Sequence, residues 1–207
     1  MNDVPPGERM RQTLARQRAA QRAEGVPDHR TRIDRLERLA MLLRENEAAL
    51  CESLQADFGQ RSLSNAAMTE IAYPISAIRY AQKHLRAWMK DEPRKVALLP
   101  RLLGARARVR HQPLGVIGVI SPWNFPVNLA VAPLTDILAA GNRAMVKPSE
   151  HTPRNSALLA ELVARYFSDE EVAVFPGGLE AGEAFARLPF DHLVFTGAGS
   201  IARHVAR

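Results

Sequence analysis

Four places in this chain carry residues whose type and setting could do chemistry. Asn124 lies in Ser121-Pro122-Trp123-Asn124-Phe125-Pro126, its amide framed by two prolines and flanked by aromatic rings. A donor restrained in this way loses little entropy on ordering, as a pre-organised oxyanion donor must; an asparagine here could equally cap the helix that starts near Pro126. Lys147 and Glu150, in Lys147-Pro148-Ser149-Glu150, pair a cation with a carboxylate three residues apart, able to hold a ribose by its hydroxyls or to form a solvated loop. Gly197 and Gly199 stand between a strand and a helix. Bare backbone amides there can approach a pyrophosphate and the helix dipole favours the anion, although tight strand-to-helix turns use glycine in any case. Cys51, the single cysteine, sits beside the apolar stripe of a helix with no histidine near it in sequence. It reads as a buried structural thiol rather than a nucleophile.

The elements that must position these residues follow from periodicity. Residues 115–120, GVIGVI, form a short β-branched run that fits a buried parallel strand. The apolar face Val127, Ala130, Val131, Leu134, Ile137, Leu138 predicts a helix that Gly141-Asn142 closes, and residues 143–146 predict a second strand. Strand, helix, strand is a βαβ crossover, and ligands in open α/β sheets lie beyond the carboxyl ends of the strands. Asn124 and the Lys147/Glu150 pair both fall at such ends. Downstream, the pattern predicts a helix over 152–167, a strand over 171–175, a helix over 179–188, a strand over 190–195 and a last helix running to Arg207.

Upstream, the first hundred residues read as almost wholly helical. Residues 8–24 are Arg/Ala-rich with only Met10 and Leu14 as large apolar groups, which predicts a helix that docks weakly or frays. Pro27-Asp28 starts an amphipathic helix through Ile33, Leu36, Leu39 and Leu43, with a break at Asn46 and a second helix to Gly59. Residues 65–89 predict one long helix with Pro74 as a kink or early start, and residues 91–95 a linker. Residues 105–110 alternate small or apolar residues with arginine, as an exposed edge strand does, and such an edge invites a partner. The fold class is therefore α/β, a Rossmann-like parallel sheet preceded by N-terminal helices, divided at residues 1–104 and 105–207.

Charge narrows the function classes. The formal net charge is +6, with a sequence pI near 10.1. Arginine supplies all of the 28 basic residues except Lys83, Lys90, Lys95 and Lys147. Arginines gather over 9–38, among acidic residues, and over 86–110, where only Asp91 and Glu92 accompany them; the second run has Trp88 as its one aromatic and no zinc, helix-turn-helix or RNA-binding signature, so nucleic acid is not an expected partner. A lone cysteine suits a reducing compartment. No run approaches 18 apolar residues and residues 1–7 are polar and proline-bearing, so the expectation is a soluble cytoplasmic protein without a membrane partner.

Taken in order, Ser121-Pro122-Trp123-Asn124-Phe125-Pro126, Lys147-Pro148-Ser149-Glu150, Phe175-Pro176-Gly177-Gly178 and Phe195-Thr196-Gly197 resemble the aldehyde dehydrogenase superfamily in wording and spacing, from about Ile33 to the last residue. Arg110-His111-Gln112-Pro113-Leu114-Gly115 and Phe195-Thr196-Gly197-Ala198 look closest to its coniferyl aldehyde dehydrogenase branch. The resemblance implies an NAD-dependent oxidation of an aldehyde, aromatic in that branch, to its acid by a homo-oligomer. It implies that Asn124 donates to the oxyanion formed when a thiolate attacks the aldehyde, and that Trp123 and Phe125 shape the substrate and nicotinamide channel. Lys147 and Glu150 would hold the adenosine ribose, Gly178 would lie against the adenine, and the amides around Gly197 and Gly199 would face the pyrophosphate. A carboxylate at Glu150 disfavours a 2′-phosphate, which argues for NAD over NADP.

Two departures limit what carries over. Ala198 stands where many members have serine, and the glycine expected near Ala202 is absent, leaving backbone amides alone at that turn. The family's cysteine nucleophile and glutamate base lie on segments downstream of the Thr-Gly turn. On this reading residues 105–207 are an incomplete NAD-binding domain without its catalytic domain, inactive alone. The alternative is a non-catalytic module that binds a nucleotide or a partner chain.

Overall fold

The computed structural model describes residues 5–206; the polar residues 1–4 and Arg207, to which the last helix is expected to run, lie outside the described residues. The chain opens with α1 (Pro6–Glu24). Next comes α2 (His29–Glu45), where the Asp28 carboxylate accepts from the Thr31 N–H at 2.8 Å, satisfying one of the helix's orphan donors. The break expected at Asn46 separates α2 from α3 (Glu47–Phe58), which Gly59 ends at φ +77°. A single turn, α4 (Leu63–Ala66), then widens into a π-helical stretch, Ala67–Ala72, before α5 (Tyr73–Trp88). The expected single helix over 65–89 is thus interrupted. Pro74 has no N–H for the carbonyl one turn back, and its ring crowds that turn, so the ladder widens ahead of it.

Residues 91–95 are not a linker. They contain β1 (Glu92–Arg94), which pairs antiparallel with β2 (Ala107–Val109) across a hairpin that carries α6 (Leu98–Leu102). Three residues around Pro93 are too few to show a period of two. Both strands are exposed on both faces, as the arginine alternation predicts for β2.

The remaining elements alternate: β3 (Val116–Ile120), α7 (Asn128–Ala139), β4 (Arg143–Lys147), α8 (Pro153–Tyr166), β5 (Val172–Val174), α9 (Leu179–Ala186), β6 (His192–Phe195) and α10 (Gly199–Val205). Their strands form one parallel sheet in the order β5-β4-β3-β6. With a side-chain period of two, Ile117, Val119, Ala144, Val146 and Val172 face one side. There they share one core with the buried faces of α2, α3, α5, α7 and α8. Val116 and Met145 face the other side, against α9 and α1.

The expectation that residues 8–24 dock weakly is overturned. Met10 and Leu14 are buried against Val116, Met145 and Phe185, and Gln17, wholly buried, donates its amide to Ala144 O at 3.0 Å and Asp169 O at 2.8 Å. The docking face is half polar, so an apolar count under-reads it. A chain of ion pairs fixes the far end of the helix. Arg35 binds Glu24 and Glu171 at 2.8 and 2.9 Å, Arg38 binds Glu171 at 2.8 Å, and Arg143 binds Glu24 at 2.7 Å. Burial would raise the Glu171 carboxyl, but hydrogen bonds and charge from Arg38 and Arg35 outweigh it and hold its pKa at about 2.

Leu14→Ala is expected to cost about 2–5 kcal/mol in equilibrium urea unfolding, with the slope unchanged; a loss under about 0.5 kcal/mol would mean that α1 does not cover the sheet. Glu171 has a folded pKa below its unfolded value, so its contribution is full above about pH 4.5 and is lost as pH falls towards 2. Unfolding free energies measured between pH 6 and pH 3 are expected to fall less steeply in Glu171→Gln than in the parent chain.

Candidate functional site

The sheet places its chemistry at one end. From β3 the chain steps to β4 and β5 in one direction, and β6 is then laid on the opposite side of β3. The strand order reverses between β3 and β6, and the crevice beyond their carboxyl ends is where open α/β sheets bind ligands. A cavity of about 1040 Å³ lies there, large enough for a dinucleotide by comparison with ordinary small-molecule sites. Its walls come from the loop after β3 (Ser121, Trp123), the end of β4 (Lys147, Glu150), the start of α9 (Gly178, Gly182) and the turn after β6 (Thr196, Gly197).

Lys147, the last residue of β4, is only 3% exposed, so it belongs to no solvated loop. Its Nζ donates to Pro148 O at 2.7 Å and lies 3.7 Å from Glu150 Oε2. Burial pushes the Lys147 ammonium pKa down, against the pull of Glu150. Glu150 is itself exposed, and the Ser121 hydroxyl, buried at the same wall, has no hydrogen-bond partner. A buried ammonium and an orphaned hydroxyl on a roomy cavity are what a polyhydroxylated ligand would satisfy, and in this respect the residues fit a nicotinamide dinucleotide.

The glycines differ in role. A Cβ at Gly197 would meet the Phe195 ring at 2.7 Å, so packing already demands glycine there, whereas Gly178 and Gly199 have open space at that position. Gly178 and Gly197 line the cavity; Gly199 begins α10 and does not. Gly118, in the middle of β3, is the glycine the residue-by-residue reading passed over. A Cβ there would fall 2.6 Å from Phe190 and 2.7 Å from Leu193, so its absence lets β6 pack close beside the crevice.

Trp123, Asn124 and Phe125 are exposed on the loop after β3, and Trp123 lines the cavity while Asn124 does not. The helix that follows is capped from elsewhere: the Glu70 carboxylate accepts the Val127 and Asn128 N–H groups at 3.1 and 2.8 Å. The capping alternative for Asn124 therefore falls. Glu70 is wholly buried in the π-helical stretch, and burial raises its carboxyl pKa against those backbone bonds and the Arg61 charge. Neither Glu70 nor Arg61 was legible as a site residue; their only signal is a partner 57 residues or more away in sequence.

Cys51 lies buried in α3, within the helical core, and burial pushes its thiol pKa up, with Glu47 adding to the effect. That is the setting of an inert thiol. No group of three or more His, Cys, Asp or Glu residues able to hold a metal occurs among the described residues, and no helix of the described residues is long and apolar enough to cross a membrane.

Comparison with known proteins agrees with this geometry. The aldehyde dehydrogenase family matches residues 6–207, which brings α1 inside the resemblance, earlier than the start at Ile33. A probable coniferyl aldehyde dehydrogenase of Caulobacter vibrioides is 51% identical over 200 residues, 96% of this chain and 41% of that protein. The coniferyl aldehyde dehydrogenase of a Pseudomonas species is 46% identical over 208 residues, 100% of this chain and 42% of that one. Among solved structures, Staphylococcus aureus AldH in a substrate-bound state superposes with a TM-score of 0.89 at 28% identity, over 94% of this chain and 42% of that chain. The chain thus spans about two-fifths of the length of the curated relatives it matches.

If Cys51 is inert, a disulfide-exchange reagent at pH 7.5 is expected to modify the native chain at least a hundredfold more slowly than the urea-unfolded chain. Equal rates would show an accessible thiol and reopen its candidacy as a nucleophile.

Proposed function

The chain belongs to the aldehyde dehydrogenase family, and from that premise we propose that it forms the cofactor-binding and oxyanion-binding part of an enzyme that oxidises an aldehyde to its carboxylic acid with NAD. The observation that carries this reading is the convergence of Trp123, Lys147, Glu150, Gly178 and Gly197 on one cavity at the β3/β6 crevice. The proteins named coniferyl aldehyde dehydrogenase among its relatives support an aromatic aldehyde as the substrate.

In this reading Lys147 and Glu150 hold the adenosine ribose, Gly178 borders the adenine, and the backbone amides around Gly197 and Ala198 meet the pyrophosphate. Bound NAD supplies the hydride acceptor. Attack of a thiolate on the carbonyl carbon forms a C–S bond and moves the carbonyl π electrons onto oxygen. Asn124 donates its side-chain N–H to that developing charge, an interaction stronger in the transition state than in the ground state. The thiolate and the general base are not among these 207 residues, whose one cysteine is the buried Cys51; in the relatives' length there is room for both. Glu150 sets cofactor choice, because a carboxylate beside the ribose repels a 2′-phosphate.

The lone reduced cysteine supports a cytoplasmic setting, and the exposed β1–β2 hairpin supports a homo-oligomer. Leu98, Leu99, Leu102 and Leu103 on that hairpin are 71–84% exposed, a patch of the kind that a second copy covers.

Calorimetric titration is expected to show NAD binding at least tenfold tighter than NADP. Lys147→Ala should weaken NAD by about tenfold, and Glu150→Gln should narrow the NAD/NADP gap. Binding without reduction of NAD by benzaldehyde-type substrates is the expected behaviour of the 207 residues alone. Equal affinity for both dinucleotides in the parent chain would remove the role given to Glu150, and turnover by a preparation of verified mass would contradict the missing nucleophile.

A further inference from the structure

The main chain of the loop that carries Asn124 is tied on either side, the Ser121 N–H donating to Lys147 O at 3.1 Å and the Leu129 N–H to Phe125 O at 2.9 Å, but Pro122–Phe125 lie outside helix and strand, and the position of Asn124 itself depends on what grips it. Two side chains on a different segment do so. The Arg61 guanidinium donates through Nη1 to the Asn124 main-chain carbonyl at 3.1 Å and pairs through Nη2 with Glu70 Oε1 at 2.6 Å. Its Cζ also lies over two aromatic rings, 4.9 Å from the Phe58 centroid and 5.3 Å from that of Phe125. Phe58 in turn lies 6.2 Å from the Trp123 ring. Three residues further on, Glu70 Oε2 takes the Val127 and Asn128 N–H groups, and Asn128 returns its amide to Thr69 O at 2.9 Å. The loop is therefore held at its aromatic tip by Arg61 and at its exit by Glu70, and the two clamps are joined by one ion pair.

We propose that Arg61 and Glu70 are positioning residues for the oxyanion donor, fixing the Asn124 backbone through a charge pair and cation–π contacts to Phe58 and Phe125. The geometry favours this over a purely packing role in two respects. An apolar pair of the same volume would fill the space between Phe58 and Phe125, but would not reach the Asn124 carbonyl or satisfy two helix N–H groups. The planar guanidinium alone can lie over both rings while its two ends bond in different directions. Lysine keeps the charge and loses the fork. Errors of about 1 Å in a catalytic group cost of the order of a hundredfold in rate, so a grip on the main chain of Asn124 is worth having even though neither residue touches the aldehyde.

This rests on the oxyanion role given to Asn124, so the test uses one readout that depends on that role and one that does not. With Trp88→Phe as background, Trp123 is the only fluorophore of its kind and reports the loop directly. Arg61→Lys and Glu70→Gln are expected to leave far-UV circular dichroism unchanged while raising acrylamide quenching of Trp123 at least twofold. In the enzyme that contains these residues together with its thiol, the same two substitutions should lower kcat for an aromatic aldehyde about ten- to a hundredfold, with KM for NAD within twofold.

Unchanged quenching in both variants would overturn the proposal. So would altered quenching with wild-type kcat, provided that Asn124→Ala itself lowers kcat. If Asn124→Ala leaves kcat intact, the oxyanion reading fails instead, and the proposal falls as a catalytic statement while the quenching still decides whether the loop is held by Arg61. Should Glu70→Gln unfold the chain, Arg61→Lys alone carries the comparison.

Discussion

The constraint on which the rest of this structure depends is that a parallel sheet must be covered on both faces. Each crossover puts its helix on one side, and a sheet of four strands buries nearly all of β3 and β4. The face of Ile117, Val119 and Val146 is closed by α7 and α8, with α2, α3 and α5 packed outside them. The face of Val116 and Met145 has only α9 from the crossovers. It is completed by α1, from the far end of the sequence. Without α1 that face would meet water at Val116 and Met145, and the Ala144 and Asp169 carbonyls would lose the Gln17 amide. The N-terminal helix is thus part of the sheet's own solvent exclusion rather than an appendage.

Covering both faces leaves the strand ends as the place where backbone and side chains can meet a ligand, and the crevice follows from topology rather than from any one motif. Close approach of β6 to β3 requires Gly118, since the ring of Phe190 occupies the space a side chain would need. The loop leaving β3 then projects away from the sheet, and its rigidity is supplied by α3, by the residues after it and by the π-helical turn. A buried carboxylate such as Glu70 is costly unless its acceptors are filled. Here two backbone N–H groups bond Oε2 and the Arg61 guanidinium, 2.6 Å from Oε1, offsets the charge, while the Oε2 bonds remove unsatisfied donors at the start of α7.

How much of this the amino-acid order discloses depends on whether the information is local. The β-branched run at Val116–Ile120, the apolar face of α7 and the αL glycine Gly141 at φ +84° are local, and the alternating half of the chain is legible from them. So are the motif residues, because each sits beside a strand end. The docking of α1 is not local: two apolar residues and a glutamine look like a solvated helix until Ala144 and Asp169 are placed beside them. Glu70 is harder still. Along the helix it is one more charged residue, and only the fold brings it to Val127. β1 escapes notice because three residues with a proline carry no readable period, and the π-helical stretch because Pro74 predicts a disturbance without saying which kind.

Lys147 shows how burial and binding are linked at this site. An ammonium carries three donors; Pro148 takes one at 2.7 Å, and Glu150, at 3.7 Å, is too far for a good hydrogen bond. At 3% exposure water cannot freely supply the remainder, and the lowered affinity of Nζ for its proton records that deficit. Glu150, exposed on the same wall, offers acceptor oxygens that Lys147 does not fully use. The pair therefore presents spare donors and spare acceptors side by side, which matches vicinal hydroxyls, each of which both donates and accepts, better than it matches a phosphate, which would engage the lysine and be repelled by the glutamate. On the proposed reading, a preference for an unphosphorylated ribose follows from leaving the ion pair slack: a tight Lys147–Glu150 bond would satisfy both groups and leave nothing for a ligand to bind.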